Sequence, residues 1–188
     1  MIIFYAFLVA VILLVGWMVA KYNSLITFRN QVMNGWKQID VQLKRRHDLI
    51  PNLVSSVKGQ MQFEQETLEK VIQARNAAIS AKGVADSAAK EDVLSSTLTK
   101  LFALVENYPT LKSNENVKQL QEELTSTENK ISFARQFYND IATKFNTAQQ
   151  VFPANFIASM FNFKPAELFE IQAAAEREVP AVDLSLKK

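Results

Sequence analysis

The stretch IIFYAFLVAVILLVGWMVA, residues 2–20, decides the architecture of this chain because it carries no charged side chain. A helix of 19 residues rises about 28 Å, close to the thickness of the hydrocarbon core of a bilayer. Tyr5, Trp17 and Tyr22 lie near its two ends, where aromatic rings favour the membrane interface. We therefore predict a transmembrane anchor over residues 1–22.

A cleaved signal peptide is the competing interpretation of the same stretch. No Lys or Arg precedes the apolar run, the run is long for a signal peptide, and Met18 and Ala20 form a poor small-x-small cleavage signal. These features favour an anchor that is retained in the mature protein.

The charges that follow the run predict its orientation. Residues 21–58 hold seven cations against Asp40 and Asp48, a net charge of +5, whereas the remaining residues carry −3 and the whole chain +2. The positive-inside rule keeps such a flank in the cytoplasm. We expect a single-pass protein of the inner (cytoplasmic) membrane, with the N-terminus outside and the C-terminal domain in the cytoplasm.

The composition of the 188 residues excludes several kinds of chemistry. The chain has no cysteine, and His47 is its one histidine, so thiolate sites and histidine metal clusters are ruled out. The four glycines are too scattered for a phosphate-binding loop, and the near-neutral charge disfavours nucleic-acid binding. We interpret the carboxylate pairs Glu91-Asp92 and Glu122-Glu123 as exposed helix charges. No enzyme activity, catalytic residue, metal or cofactor is predicted.

Beyond the anchor, apolar residues recur at spacings of three and four, which is typical of helices that bury one face. A first run extends over residues 32–79, a second over 94–108 and a third over 117–152. These runs predict an all-α fold, an elongated antiparallel (up-and-down) bundle of about four helices over residues 23–176. An irregular tail is expected over residues 177–188.

Chemical signals mark the helix boundaries. Gly83 follows the first run and suits the position after a helix C-terminus, Pro109 ends the second run, and Ser113 or Asn114 caps the third. Pro51 lies inside the first run and would remove one hydrogen bond from a continuous helix. Because the apolar phase continues across Pro51, we expect a kink or a short interruption there and not a chain reversal.

Two candidate interaction surfaces emerge. The first consists of charged residues: Lys44, Arg45, Arg46 and Asp48. It is either a solvated face or a contact surface for protein or lipid. The second lies in the charge-free stretch 145–163 and consists of Phe152, Phe156, Phe161 and Phe163. Pro153 and several side-chain amides make this stretch unsuitable as a second membrane span. It is either an apolar cap folded onto the bundle or a surface for the bilayer or another subunit.

Four charged residues fall within or beside the apolar phases of the helices: Arg75, Glu106, Glu128 and Arg135. We predict that some of them pair in an internal polar layer that fixes the register of the bundle. Ordinary surface ion pairs are the alternative.

The order of motifs along the chain resembles the LemA family of prokaryotic membrane proteins over nearly its whole length. The most specific motif is DVQLKRRHDLIPNLV at residues 40–54, followed by ENYP at 106–109, TEN at 127–129 and FKP at 163–165. Residues 60–64 lack the Tyr and His that the family often carries there. The resemblance implies a single-pass anchor with an elongated helical bundle, but it implies no activity.

The expected function is a membrane-anchored scaffold or adaptor of uncertain biochemical role. Expected partners are the lipid bilayer, through residues 2–20, and either a second copy of the chain or a membrane protein. An HtpX-like protease is one such partner, because the resemblance hints at membrane-protein quality control. The alternative is a lipid-binding or membrane-remodelling protein that uses the basic helix face or the Phe-rich segment.

Overall fold

The computed structural model describes residues 1–61 and 64–169, and within them it is all-α, as the apolar periodicity predicted. The helices are α1 (Ile2–Lys58), α2 (Gln65–Ile79), α3 (Gly83–Val105), α4 (Pro109–Lys112), α5 (Glu115–Gln150) and α6 (Ala154–Met160). The tail expected over residues 177–188 lies outside the described residues, as do the last seven residues of the predicted bundle domain.

Helix α1 is continuous over 57 residues, or about 85 Å at 1.5 Å per residue. Its residues 2–16 are exposed, and it is the one helix in the described part of the chain that is long and apolar enough to cross a membrane. From Leu25 onward one face of the helix is buried in the bundle, and its buried apolar residues recur along the helix from Leu25 to Val57. The transmembrane segment and the first arm of the bundle are therefore one uninterrupted helix.

The long helices run up and down along a common axis. α1 leads away from the anchor, α2 returns, α3 leads away again and α5 returns along α1, while α6 lies against both α1 and α5. Two apolar cores follow one another along this axis. The core near the anchor includes Leu25, Ile39 and Ile131, and the distal core includes Leu53 and Leu101.

The interpretation of residues 32–79 as one helix was wrong. The chain reverses between Lys58 and Gln65, so this run forms the second half of α1 and all of α2. Val57, Met61 and Leu68 are all buried, because the reversal is of a length that keeps successive apolar residues facing the same core. The pattern therefore continues through the turn and does not reveal it.

Other boundaries were predicted with mixed success. Asn114 caps α5, and its side chain accepts hydrogen bonds from the backbone of Asn116 and Val117 at 3.0 and 3.3 Å. Pro109 begins the short α4 and does not terminate α3, which ends at Val105. Gly83 begins α3 with a φ of +80°, a conformation that glycine adopts without strain, and it does not cap the preceding helix.

Helix α1 continues across Pro51 without the short interruption that was one of the two expectations. Proline has no N–H, so the carbonyl of His47, four residues earlier, loses its helical donor. Arg75 of α2 replaces that donor, because its Nε lies 2.6 Å from the His47 carbonyl oxygen. The expectation that the chain does not reverse at Pro51 is confirmed, and a contact from another helix satisfies the group that proline leaves unpaired.

A ladder of asparagines holds residues 163–169 along α5. The side-chain amide of Asn139 donates to the Phe169 carbonyl (2.9 Å) and accepts from the Phe169 N–H (2.7 Å). Asn146 makes the same two bonds with Ala166, at the same distances. Seven helical residues rise about 10.5 Å and three extended residues span about 10 Å, so the two spacings match. Segment 163–169 therefore runs antiparallel to α5.

The role of Arg75 can be measured with a double-mutant cycle. Arg75→Met keeps the aliphatic stem but leaves the His47 carbonyl unpaired, which we expect to lower the free energy of unfolding by about 1–3 kcal/mol. In a Pro51→Ala background the backbone N–H of residue 51 is restored and can donate to the His47 carbonyl. Arg75→Met should therefore lower the free energy of unfolding clearly less in that background. Thermal unfolding of the detergent-solubilised full chain measures both values.

Lys70→Met serves as the control for this cycle, because Lys70 is an exposed cation on the same helix and pairs with exposed Glu66. Lys70→Met should change the free energy of unfolding only slightly, and by the same amount whether residue 51 is proline or alanine. Equal costs of Arg75→Met in the two backgrounds would show that Arg75 does not substitute for the missing donor.

Candidate functional site

A cluster of charged and polar side chains lies between the two apolar cores. Arg46 and His47 come from α1, Glu91 and Ser95 from α3, and Glu128 from α5. The guanidinium of Arg46 contacts Glu91 at 3.1 Å, Glu128 at 3.0 Å and the Ser95 hydroxyl at 2.8 Å. His47 Nε2 lies 2.7 Å from the other carboxylate oxygen of Glu91. The polar cluster thus joins three helices at one level.

The helical periodicity places these residues in the interior. Arg46 and His47 lie three and four residues after buried Leu43, at the level where the next apolar side chain of the stripe is expected. Glu91 lies three residues after Ala88, and Glu128 four residues after Leu124, both of which are buried. Polar side chains therefore occupy core-facing positions on three helices that face each other.

Burial makes the pairing in this cluster obligatory. Arg46 is 2% exposed and Glu91 is 1% exposed, so neither charge is hydrated by bulk water. An isolated charge at such a position would be strongly destabilising, whereas a paired and hydrogen-bonded one is tolerated. Because a carboxylate only accepts hydrogen bonds, His47 Nε2 is the donor to Glu91. Each bond requires a particular axial offset between two helices, so the cluster selects one register.

The predicted internal polar layer exists, but only part of its predicted membership lies in it. Glu128 belongs to the cluster, and Arg75 lies beside it on the His47 carbonyl. Glu106 is exposed and pairs with Lys112. Arg135 pairs with Asp92 at 3.4 Å, so Glu128 and Arg135 have different partners.

Arg135 also marks the attachment of the segment that follows α6. Its guanidinium carbon lies 4.3 Å from the centre of the Phe169 ring, a cation–π distance. Trp36 contacts the same ring from α1, with the centroids 6.1 Å apart. Tyr138 donates to the Glu167 carbonyl at 2.8 Å, and burial, with a smaller effect of the Glu167 charge, raises the pKa of the Tyr138 hydroxyl.

The structure divides the first predicted interaction surface. Lys44, Arg45 and Asp48 are exposed, and Arg45 forms a loose ion pair with Glu123 at 3.6 Å. Arg46 points into the bundle, so its grouping with surface residues was wrong. Glu91 is likewise buried and is not the exposed helix charge that we expected. Arg46 and Glu91 each stand among other charged residues in the sequence. For that reason their positions on the apolar stripe of their helices were not recognised.

The Phe-rich segment is packed onto the bundle on one side and exposed on another. α6 buries Ala154, Ile157 and Ala158 against the bundle. Phe152, before α6, and Phe156, within it, are exposed to 78% and 63%. Phe161, after α6, is 51% exposed, and its ring centroid lies 4.6 Å from that of Tyr22 in α1. Phe163 is half-buried, with its ring centroid 5.9 Å from that of Tyr22 and 6.3 Å from that of Phe145.

Sequence reasoning missed a second exposed apolar feature, which we call the α1–α5 surface. It is formed by Met33, Val41, Phe133 and Phe137, which are exposed to 53%, 62%, 72% and 48%, together with Lys37 and Lys130. Most of these residues line a groove of about 580 Å³ between the two helices. The spacing of Met33, Lys37 and Val41 by four residues could have indicated this face.

Comparison with known proteins agrees with this architecture. The model of the LemA family matches residues 35–184. Protein LemA of Metamycoplasma hominis is 29% identical over 171 residues, covering 89% of this chain and 75% of that protein. Magnetosome protein MamQ 2 of Paramagnetospirillum magneticum is 23% identical over 196 residues, covering 90% and 72%. Magnetosome protein MamQ of Magnetospirillum gryphiswaldense is 23% identical over 185 residues, covering 85% and 68%.

The fold and the polar cluster define a class: a helical bundle whose first helix continues from an N-terminal transmembrane segment. Within this class the family match covers most of the chain, including the whole of the polar cluster. The chain belongs to the LemA family.

Removing one buried carboxylate should disrupt the polar cluster. Glu91→Gln keeps the side-chain shape but removes the charge that faces Arg46, and we expect a loss of about 3 kcal/mol in the free energy of unfolding. For a chain of this size that corresponds to a fall of about 6–12 °C in Tm. Circular dichroism of the solubilised full chain during heating measures the change.

Glu122→Gln is the matched control, because Glu122 is an exposed carboxylate on α5. It removes the same charge and should leave the Tm nearly unchanged. If both variants unfold at the same temperature as the parent, the polar cluster does not contribute to the stability of the bundle.

Proposed function

We propose that this protein is a membrane-anchored scaffold that presents the α1–α5 surface to a protein partner and has no enzymatic activity. The observation that carries the proposal is the exposure of two phenylalanines, Phe133 and Phe137, beside Val41 on otherwise well-packed helices. Contiguous exposed apolar side chains with a polar rim mark protein contact surfaces. Aromatic side chains are also enriched where binding energy is concentrated.

The charges around the α1–α5 surface favour a particular kind of partner. Lys37 and Lys130 both line the groove. A symmetric dimer through this face would bring like charges from two copies together, which is unfavourable. We infer that the partner is a helix with an apolar stripe flanked by carboxylates, on a protein at the same side of the membrane. An HtpX-like membrane protease is the partner class suggested by the family resemblance.

The rigidity of the arm supports the scaffold function. Because α1 passes without a break from the membrane segment to Lys58, the α1–α5 surface is held at a defined height. Met33 and Val41 lie 13 and 21 residues beyond Ala20, which corresponds to about 20 and 32 Å along the helix. A partner that binds there would be positioned close to the bilayer.

Lipid binding through the basic helix face has less support than the scaffold function. Arg46 is buried among its partners and is withdrawn from that face. Lys44 and Arg45 remain exposed, but they lie about 36 Å beyond the end of the span along α1, several Debye lengths from the headgroups.

We also propose that the bundle lies in the cytoplasm, because the cations that follow the span obey the positive-inside rule. The cysteine-free sequence allows a direct test. A Ser55→Cys chain should react with a membrane-impermeant maleimide only after the cells are permeabilised, since Ser55 is an exposed residue of the bundle. An Ile2→Cys chain should react in intact cells. The reverse pattern would place the bundle outside.

Site-specific photocrosslinking tests the scaffold function. Benzoylphenylalanine at position 133 of the membrane-embedded full chain should give a defined adduct after irradiation, which mass spectrometry identifies. The double substitution Lys37→Glu/Lys130→Glu should abolish the adduct, because it reverses the charges that face the partner.

Val93 provides the matched control position, since it is an apolar residue of α3 that is 57% exposed. Benzoylphenylalanine there should give no such adduct. No adduct at position 133, or one that persists after charge reversal, would contradict the scaffold function through this surface. An adduct between two copies of the chain would contradict the acidic partner and indicate self-association.

A further inference from the structure

The short helix α6 lies beside the transmembrane part of α1. A groove of about 570 Å³ lies between the two, lined by Leu13, Trp17 and Met18 from α1 and by Phe156, Ile157 and Met160 from α6. The lining is almost wholly apolar. Such a groove would be unfavourable in water, because it would leave both walls hydrated.

The position of this groove along α1 places α6 at the depth of lipid. Leu13 and Trp17 precede Ala20 by seven and three residues, or about 10 and 5 Å along the helix. Because residues 2–20 form the membrane span, these side chains lie inside the leaflet adjoining the bundle. The part of α6 that faces them lies at the same depth.

The side of α6 that faces away from the bundle has the chemistry of a lipid-contacting surface. Phe152, Phe156 and Met160 are 78%, 63% and 67% exposed. Phe161 is 51% exposed and packs against Tyr22 of α1, with the ring centroids 4.6 Å apart. No charged residue occurs between Lys144 and Lys164. A short amphipathic element with large apolar side chains on its free face is typical of segments that lie within the membrane interface.

Cations surround this apolar element where lipid headgroups would be. Lys21 and Lys164 are exposed, and the guanidinium carbon of Arg29 lies 5.8 Å from the centre of the Phe163 ring. Cations at this level suit anionic headgroups, while the aromatic rings reach the acyl chains below.

We propose that α6, with Phe152 and Phe161 at its ends, inserts into the leaflet that adjoins the bundle, and that lipid acyl chains occupy the groove between α6 and α1. The bundle is then attached to the membrane at two points, the transmembrane part of α1 and the end of α5. This inference does not depend on the scaffold function, because it concerns residues beyond the C-terminal end of α5 and uses none of the α1–α5 surface.

Fluorescence quenching by labelled lipids tests the insertion. Phe156→Cys introduces a unique cysteine into the full chain, which is labelled with the fluorophore NBD and reconstituted into phosphatidylcholine–phosphatidylglycerol vesicles. NBD at position 156 should emit at shorter wavelength than NBD at Ser55→Cys. Its emission should also be strongly quenched when the vesicles contain phosphatidylcholine with a nitroxide on the acyl chain.

Two further labelled variants calibrate the measurement. Leu8→Cys lies on the exposed part of the transmembrane helix and should show the full quenching of a lipid contact. Phe133→Cys replaces another exposed phenylalanine, in the α1–α5 surface, and should not be quenched by the labelled lipid. Met160→Cys repeats the test at a second position of α6 if Phe156→Cys does not fold.

Either of two results would overturn the proposal. Emission at position 156 that matches the aqueous position Ser55, without quenching, would place α6 in water. Emission at shorter wavelength without quenching by the labelled lipid would show that protein, such as a second copy of the chain, covers α6.

Discussion

The buried guanidinium of Arg46 is the constraint on which the arrangement of the long helices depends. A guanidinium keeps its charge inside a protein, so it must meet carboxylates wherever the backbone buries it. Glu91 from α3 and Glu128 from α5 supply them, and His47 occupies the second oxygen of Glu91. Apolar side chains alone would tolerate a shift of one helix along another, because many such shifts still bury them. Directed hydrogen bonds to one charged group do not tolerate it, which gives the bundle a single register.

Helix α1 connects this constraint to the membrane. Pro51 would be expected to weaken it close to the polar cluster, but Arg75 donates to the carbonyl that the proline leaves without a partner. The helix therefore remains continuous, and the position of the polar cluster relative to the bilayer follows from the number of residues between them. α5 returns the chain to the same end, where α6 packs against the transmembrane part of α1. The asparagine ladder then holds residues 163–169 along α5 as the chain runs antiparallel to it. The start of the bundle part of α1 and the C-terminal end of α5 thus lie at the same end of the bundle, next to the transmembrane segment.

The sequence predicted that a polar layer lies inside the bundle, but it predicted only some of the residues that form this layer. Charged residues near the apolar phase suggested a polar layer, and Glu128 does belong to it. Glu106 was included because it borders the same phase, but α3 ends at Val105 and Glu106 turns to solvent beside Lys112. Arg46 and Glu91 were assigned to the surface because each stands among other charged residues. Their burial depends on which helix faces them, and helical phase in one segment carries no information about the neighbouring helix.

By itself the sequence determined the anchor, the helical class and several helix ends, because hydropathy, periodicity and capping act within one turn or one segment. The charge-free residues 2–20 and the cap at Asn114 are examples. Only the tertiary structure decided where the chain reverses after Lys58, how Pro51 is accommodated, and that α6 lies against Trp17 and Met18. These outcomes depend on contacts between residues far apart in the sequence. Such contacts are set by the joint packing of several helices, which no single segment encodes.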